Sequence, residues 1–346
     1  MSARFPPYLR LRQDAAFRHR LERRSEVLDA IRSFFKAKAF LEVETPILVK
    51  LPGMEPYLDV FSTEFHSIDS EREERYLITS PEYAMKKLLV GGLPRIFQIT
   101  KCFRNKETGG DFHNPEFTML EWYRAESDYR DIMKDCEELL ASLAMALHGR
   151  KNFQYRGRSI DVGGEFEKLR VVEAFEKYAG VSRDVFESEK LLIEEASRRG
   201  YSLGEKGTYD DAFYLIFLNE IEVKLGLEKP TILYEYPVSM AALSRASERD
   251  SKYAERFELY IAGVEVANAF SELTDADEQL RRLQQERSQR GQLGKALYDV
   301  DMTFIDALRA GMPLSSGIAL GVDRLVMLFL DAQSIEDVLF FPFRDL

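Results

Sequence analysis

From Asp14 to Lys38 apolar residues recur at helical spacing, with Phe17, Leu21, Leu28, Ile31, Phe34 and Phe35 on one stripe, which predicts a single long helix. The helix leads into FLEVETPILV, whose alternation and closing Pro46 predict a strand that ends at an edge or an interface. Strands are further predicted over 58–66, 75–79, 96–103 and 117–123. Between the second and third of these, SPEYAMKKLLVGG predicts a short helix, with Ser80 as cap, Pro81 in the first turn and Gly91 as its stop.

The middle of the chain, 129–226, is helix-rich, with helices predicted over 131–147 and 210–225, and reads as an insertion between two halves of a sheet. Strand signals resume at 232–236 and in FELYIAGVEVANAFSEL, a hairpin turning at Gly263. A charged helix over 275–290 and a strand running into a helix across 318–330 close the pattern. With no repeat and no low-complexity linker, the expectation is one α+β domain over residues 1–346: an antiparallel sheet flanked by helices, carrying a helical insertion at about 130–226.

At 346 residues and 45% hydrophobic the chain can bury a large core. It has no apolar run of the roughly 18 residues a membrane helix needs, and its N-terminus lacks the apolar segment of a secretory signal, so a cytoplasmic location and no membrane partner are expected. Cys102 and Cys136 form neither a disulfide framework nor a metal knuckle. A net charge of −11 gives a surface field that repels nucleic acid. Against that, the stretch from Arg10 to Arg24 is arginine-rich, which is either a solvated helix face or a docking surface for an acidic partner.

Candidate chemistry centres on Arg104, in CFRNKETGGDFHNPEFTMLEWYR, and Arg324, in SSGIALGVDRLVML. A guanidinium is permanently charged and offers a planar fork of donors, so one beside a strand and one opening a helix suit two phosphates of a nucleotide such as ATP. The stretches contain neither the Gly-Lys-Ser/Thr loop of a P-loop nor the Gly-x-Gly-x-x-Gly of a dinucleotide fold, so another architecture must hold it. Asn268, Phe270 and Glu272, spaced by two, would project from one face of a strand.

These arginine stretches, with TPIL around Pro46, resemble the three signature motifs of class II aminoacyl-tRNA synthetases. SPEYAMKKLL, HNPEFTMLEWY, LYEYPVS, RFELYIAGVEVANAFSELTDADEQ and GVDRLVML resemble, in order, the catalytic half of lysyl-tRNA synthetases. Only about 40 residues precede Pro46, where those enzymes carry an anticodon-binding domain. A core without that domain resembles the bacterial elongation factor P lysine ligases, which activate lysine or (R)-β-lysine as an adenylate and attach it to a lysine side chain of the factor. Trp122, Arg124 and Ala319 carry the leaning toward that group.

The resemblance implies ATP and Mg²⁺ as cofactors, a homodimer, and elongation factor P rather than tRNA as partner. It implies that Arg104 contacts the α-phosphate and Arg324 the γ-phosphate, and that Phe117 stacks on adenine with His113 and Asn114 lining the same pocket. Glu107, one position beyond the usual motif glutamate, would read the adenine amino group through a shifted loop. Glu258 and Glu265, seven apart with Gly263 between, would hold Mg²⁺; read alone they are solvated strand glutamates. Glu121 and Glu272 would hold the substrate's side-chain ammonium, with Tyr123 beside them and Phe270 walling the aliphatic stem. Glu82 would take the substrate's backbone amino group, and Asn268 would lie near its carboxylate. Ala319, where the tRNA enzymes have glycine, is either a neutral exchange or a methyl group that favours a β-amino acid. The alternatives are an adenylating enzyme with another acceptor, tRNA or a small amine, and a non-catalytic paralogue with a regulatory role. Buried Arg104, Arg324, Glu121 and Glu272 without ligands would only destabilise a paralogue of the latter kind.

Overall fold

The computed structural model describes residues 6–346 apart from 70, 109, 205 and 206. An eight-stranded sheet lies at its centre, in spatial order Leu41–Glu42, Arg95–Phe103, Glu116–Ala125, Ser315–Gly321, Val264–Ser271, Arg256–Ile261, Thr231–Tyr234 and Glu167–Arg170. From Arg95–Phe103 across to Thr231–Tyr234 every neighbour pairs antiparallel. The two edge strands pair parallel, which corrects the antiparallel expectation at both margins. Each reaches its neighbour through a connection containing a helix, as a parallel pair requires.

The long helix spans Ala15–Ala37, with the Asp14 side chain accepting from Phe17 N at 2.8 Å. Its stripe faces the sheet. Phe17, Leu21, Val27, Ile31 and Phe35 are buried, and Phe35 stacks on Phe97 with ring centroids 4.8 Å apart. The segment FLEVETPILV does not make one strand: Leu41–Glu42 joins the main sheet, while Leu48–Val49, beyond Pro46, joins a small sheet with Arg72–Leu77 and Ser62–His66. The arginine-rich stretch is engaged inside the chain. Arg10 and Arg20 pair with Asp337, Arg18 donates to Leu11 O, Arg23 pairs with Glu26, and buried Arg24 pairs with Asp323, while Arg12 and Arg18 remain exposed.

The helix expected over 131–147 is Tyr129–His148, closed at its start by the Asp128/Asp131 capping box and at its end by Gly149 with φ 66°. It packs with the long helix in the core against the sheet. A second core begins at Val171 and runs to Leu225, covering Leu233, Tyr236, Tyr253 and Tyr260 on the far end of the sheet. Here the helix predicted over 210–225 is α-helical only at Tyr209–Ile216, then widens to a π turn at Phe217–Ile221 and tightens at Glu222–Lys224. The hairpin turns at Ala262 and Gly263, both at positive φ (53° and 76°), the geometry for which glycine is suited. Both cysteines are free and buried, and among the described residues no helix is long and apolar enough to cross a membrane.

Candidate active site

Strand register places the candidate residues. One transverse row crosses five strands through Gln98, Glu121, Ala319, Asn268 and Glu258. The next row on the same face, two residues along each of four strands, is Tyr123, Gly317, Phe270 and Arg256. Side chains paired this way share a face, so carboxylates far apart in the sequence converge on one side of the sheet. A cavity of about 1310 Å³ lies over that face. Thirteen of the fifteen residues singled out from the sequence line it, and the other two, Glu121 and Glu272, lie beneath its floor, 0% and 1% exposed.

Glu265 reaches this face through an irregularity. Leu259 pairs with Ala267 and Tyr260 with Glu265, so Val266 is an extra residue in its strand. A bulge of one residue reverses the alternation beyond it. Without it Glu265, three positions from Asn268, would point to the opposite side; with it both line the cavity. The sequence spacing gave the right face for Glu258 and Glu265 without revealing that a bulge is what produces it.

At one end of the cavity the buried carboxylates are held by hydroxyls and one lysine. Glu121 accepts from Ser80 Oγ (2.5 Å) and Tyr123 Oη (2.8 Å), and burial, then repulsion from Glu82, pushes its carboxyl up to about 8. Glu272 pairs with Lys86 Nζ at 2.5 Å, and Lys86 also binds Glu82. Burial alone would lower the Lys86 ammonium, but Glu272 and Glu82 outweigh it and hold it above its usual range. Glu272 therefore has its cation within the chain, although burial pushes its carboxyl, too, up to about 8, while Glu121 has only hydrogen bonds to hold it. Sequence reasoning missed Lys86, though its position one helical turn after Glu82 was a signal. Gly317 makes room for this arrangement: a Cβ there would sit 2.2 Å from the Tyr123 ring and 2.7 Å from Glu272 Oε1.

At the other end stand the two arginines. Arg324 donates from Nη1 to Glu265 O (2.8 Å) and from Nε to Phe112 O (3.2 Å), and its Nη2 meets His113 Nε2 at 3.0 Å. Enclosure in the pocket, then the Arg324 charge, lowers the His113 imidazole pKa. Arg104 lies 3.7 Å from Glu107 and holds its guanidinium 5.1 Å from the Phe117 ring centroid, with its buried Nε unpartnered. Asn114 lines the cavity, yet its amide is engaged on the backbone at both ends, with Glu116 O and Phe343 N. Asn268 Oδ1 accepts from Arg256 Nε at 3.2 Å.

Behind Phe117 and Arg324 lies a second support that the sequence did not disclose. Asp323 Oδ2 accepts from Thr118 N (2.8 Å), and Arg24 bridges Asp323 (2.7 Å) and Thr118 Oγ1 (3.0 Å). The long helix thus fixes the residues beside both candidate nucleotide contacts.

Glu258 accepts from Arg256 (2.7 Å) and from the hydroxyls of Tyr236 and Tyr260. Burial, then the Glu258 charge, pushes Glu265 up to about 6, with Arg324 opposing the rise. Two hard oxygen donors whose repulsion is incompletely relieved fit a divalent cation. Among the described residues no group of three acid, His or Cys side chains could hold a metal by itself.

Residues 5–345 match the family of class II tRNA synthetases (D, K and N). Elongation factor P–(R)-β-lysine ligases of Haemophilus ducreyi and Actinobacillus succinogenes are each 39% identical to the chain, over 93% of it and 93% and 94% of their own lengths. A lysine–tRNA ligase of Campylobacter jejuni is also 39% identical, over 92% of the chain and 62% of that enzyme.

Proposed function

The chain belongs to the class II tRNA synthetase family (D, K and N), and from that premise we propose that it is an ATP-dependent ligase. In this reading it activates lysine or (R)-β-lysine as an aminoacyl-adenylate and joins it by an amide bond to a lysine side chain of elongation factor P. The observation that carries the reading is the polarity of one cavity, with buried Glu121 and Glu272 at one end and Arg104 and Arg324 at the other. A diamine with a carboxylate fits between them. Relatives bearing the β-lysine ligase name match along nearly their whole length, which supports the protein acceptor over tRNA.

The chain's residues account for the first half-reaction. Glu121, with Tyr123, holds the side-chain ammonium, and Phe270 walls the stem beneath it. Glu82 takes the amino group and Asn268 lies near the carboxylate. Phe117 stacks on adenine with His113 and Asn114 around it, and Glu107 reads the adenine amino group. Arg104 and Arg324 stabilise charge on the α- and γ-phosphates as the substrate carboxylate attacks. Glu258 and Glu265 would hold Mg²⁺, which would supply further charge neutralisation on the phosphates. Ala319, in the same row as Asn268 and Glu121, narrows the cavity where the amino acid's backbone would lie and favours the β-amino acid. The exposed side chains Leu41, Ile47 and Leu48 flank Pro46 and support a homodimer through that segment; a cytoplasmic location accords with this chemistry.

The test is ATP–pyrophosphate exchange with α-lysine, β-lysine or neither, followed by transfer of the labelled amino acid to elongation factor P. Lysine-dependent exchange, lost in Arg324→Ala by the equivalent of roughly 2–4 kcal/mol, is expected. Absence of exchange with either substrate would overturn adenylation; exchange with transfer to tRNA instead would overturn the acceptor.

A further inference from the structure

The cavity holds two carboxylates that the first half-reaction does not use. Glu55 lies in the loop after Pro52 and Glu286 on helix Ala276–Gln292, and both line the cavity. The helix clamps the loop opposite itself: Arg290 Nη1 donates to Glu55 O (2.6 Å) and Leu58 O (2.7 Å), and Gln289 Nε2 to Tyr57 Oη (2.9 Å). Glu55 Oε2 accepts from Thr79 Oγ1 at 2.9 Å. The Glu286 side chain, part-buried at the cavity wall, accepts no hydrogen bond and pairs with no cation among the described residues.

Their position relative to the reading above is informative. Glu55 shares the cavity with Arg104 and Glu82 and lies close enough to feel the charge of both. These are the residues assigned to the α-phosphate and to the substrate amino group, and the activated acyl carbon must lie between those two groups. Glu286 faces Glu55 and Glu82. Lys86 answers Glu272 and Glu82, and the substrate's two amino groups would answer Glu121 and Glu82, whereas neither Glu55 nor Glu286 forms an ion pair among the described residues.

Resting on the proposed ligase reading, we propose that Glu55 and Glu286 form the acceptor subsite, binding the ammonium of the acceptor protein's lysine, with Glu286 as the base that takes its proton. The arriving ammonium favours the ionised carboxylates, so Glu286 gives up its own proton to solvent as the acceptor binds, and one proton then passes from the ammonium to the Glu286 carboxylate. The neutral amine then forms the C–N bond as the acyl C–O bond to AMP breaks; AMP leaves with the electron pair, and the second proton leaves the nitrogen for solvent. Burial, then Glu55 and Glu82, raises the Glu286 carboxyl well above its usual range, against the opposing charges of Arg282 and Arg290, which gives it the basicity this step needs. Tyr83 on the helix Glu82–Val90 faces the same cluster.

The experiment compares Glu286→Gln and, separately, Glu55→Gln with wild type in three assays on the full chain: pyrophosphate exchange, trapping of the adenylate by hydroxylamine, and transfer to elongation factor P across pH. Loss of a positioned base predicts transfer slower by about 100-fold or more in Glu286→Gln, with the acid limb of its pH profile abolished. Exchange and hydroxylamine trapping, which do not require that proton transfer, should show that each variant is folded and makes adenylate. A rise in the amino-acid KM for exchange that parallels the loss of transfer would overturn the proposal, placing the pair on the substrate's own amino group; unchanged transfer in both variants would also overturn it. Absence of exchange or transfer in the wild type would instead sink the ligase reading itself, so the two failures are distinct.

Discussion

Arg24 and Asp323 form an ion pair at 2.7 Å with side chains only 8% and 4% exposed, and they join the first long helix to the residue preceding Arg324. Because Asp323 also receives Thr118 N, next to Phe117, one guanidinium orders the backbone beside both proposed nucleotide contacts. Removing one partner of a buried pair leaves an uncompensated charge, so Arg24→Met should destabilise the fold by roughly 3–5 kcal/mol. In protein that remains folded, the KM for ATP should rise while that for the amino acid stays near wild type. Denaturant unfolding and exchange kinetics measure both; an equal rise in the two constants would assign Arg24 a structural role only.

The glycine beneath the ammonium end should be sensitive to a single methyl group. Gly317→Ala would place a Cβ 2.2 Å from the Tyr123 ring, and neither the sheet backbone nor buried Tyr123 can retreat freely. Overpacking of this kind costs about 1–3 kcal/mol. Thermal unfolding should show that loss, and the KM for lysine should rise because the displaced Tyr123 no longer supports Glu121.

Binding should release protons. Burial, then Glu82, pushes the Glu121 carboxyl up to about 8, so near neutral pH it holds its proton, and an arriving ammonium favours its ionised form. Calorimetry at pH 7 in buffers of different ionisation enthalpy should show net proton release on lysine binding, reduced in Glu121→Gln. The sign for stability is the opposite of an ordinary salt-bridged acid. The folded state binds the proton more tightly than the unfolded state, so Glu121 contributes a stability that declines as pH rises from the usual carboxylate range toward 8.

Ala319→Gly tests the substrate choice. The methyl group lies in the row between Glu121 and Asn268, and removing it should raise the ratio of α-lysine to β-lysine exchange, while Arg104 and Arg324 continue to support adenylation with either. Competition between the two amino acids in the exchange assay reads the change; an unchanged ratio would mark Ala319 as a neutral exchange.

Periodic features were legible in the sequence. The long helix, the strand 96–103, the hairpin at Gly263 and the convergence of Asn268 and Phe270 all follow from repeats of 3.6 or 2 that packing then reinforced. What stayed hidden depends on register and on partners distant in the chain. FLEVETPILV alternates as a strand should, but Pro46 divides it between two sheets. The Val266 bulge leaves no mark in residue type. Arg24 looked like one of several surface arginines until its partner, about 300 residues away, was in view. Lys86 showed only its spacing from Glu82, and Glu55 and Glu286 showed nothing, because a charged residue on a helix or in a loop reads as solvated unless the fold closes over it.

The transverse row from Glu121 through Ala319 and Asn268 to Glu258 crosses three strand spacings, about 14 Å at the usual pitch of a hydrogen-bonded sheet. That pitch is a property of the peptide backbone and does not depend on which side chains decorate it. The sheet therefore works as a ruler with fixed graduations, on which the separation between the amino-acid end and the phosphate end is counted in strands. What can vary along this ruler is the side chain standing at each graduation, such as the one at position 319, while the spacing between graduations stays constant.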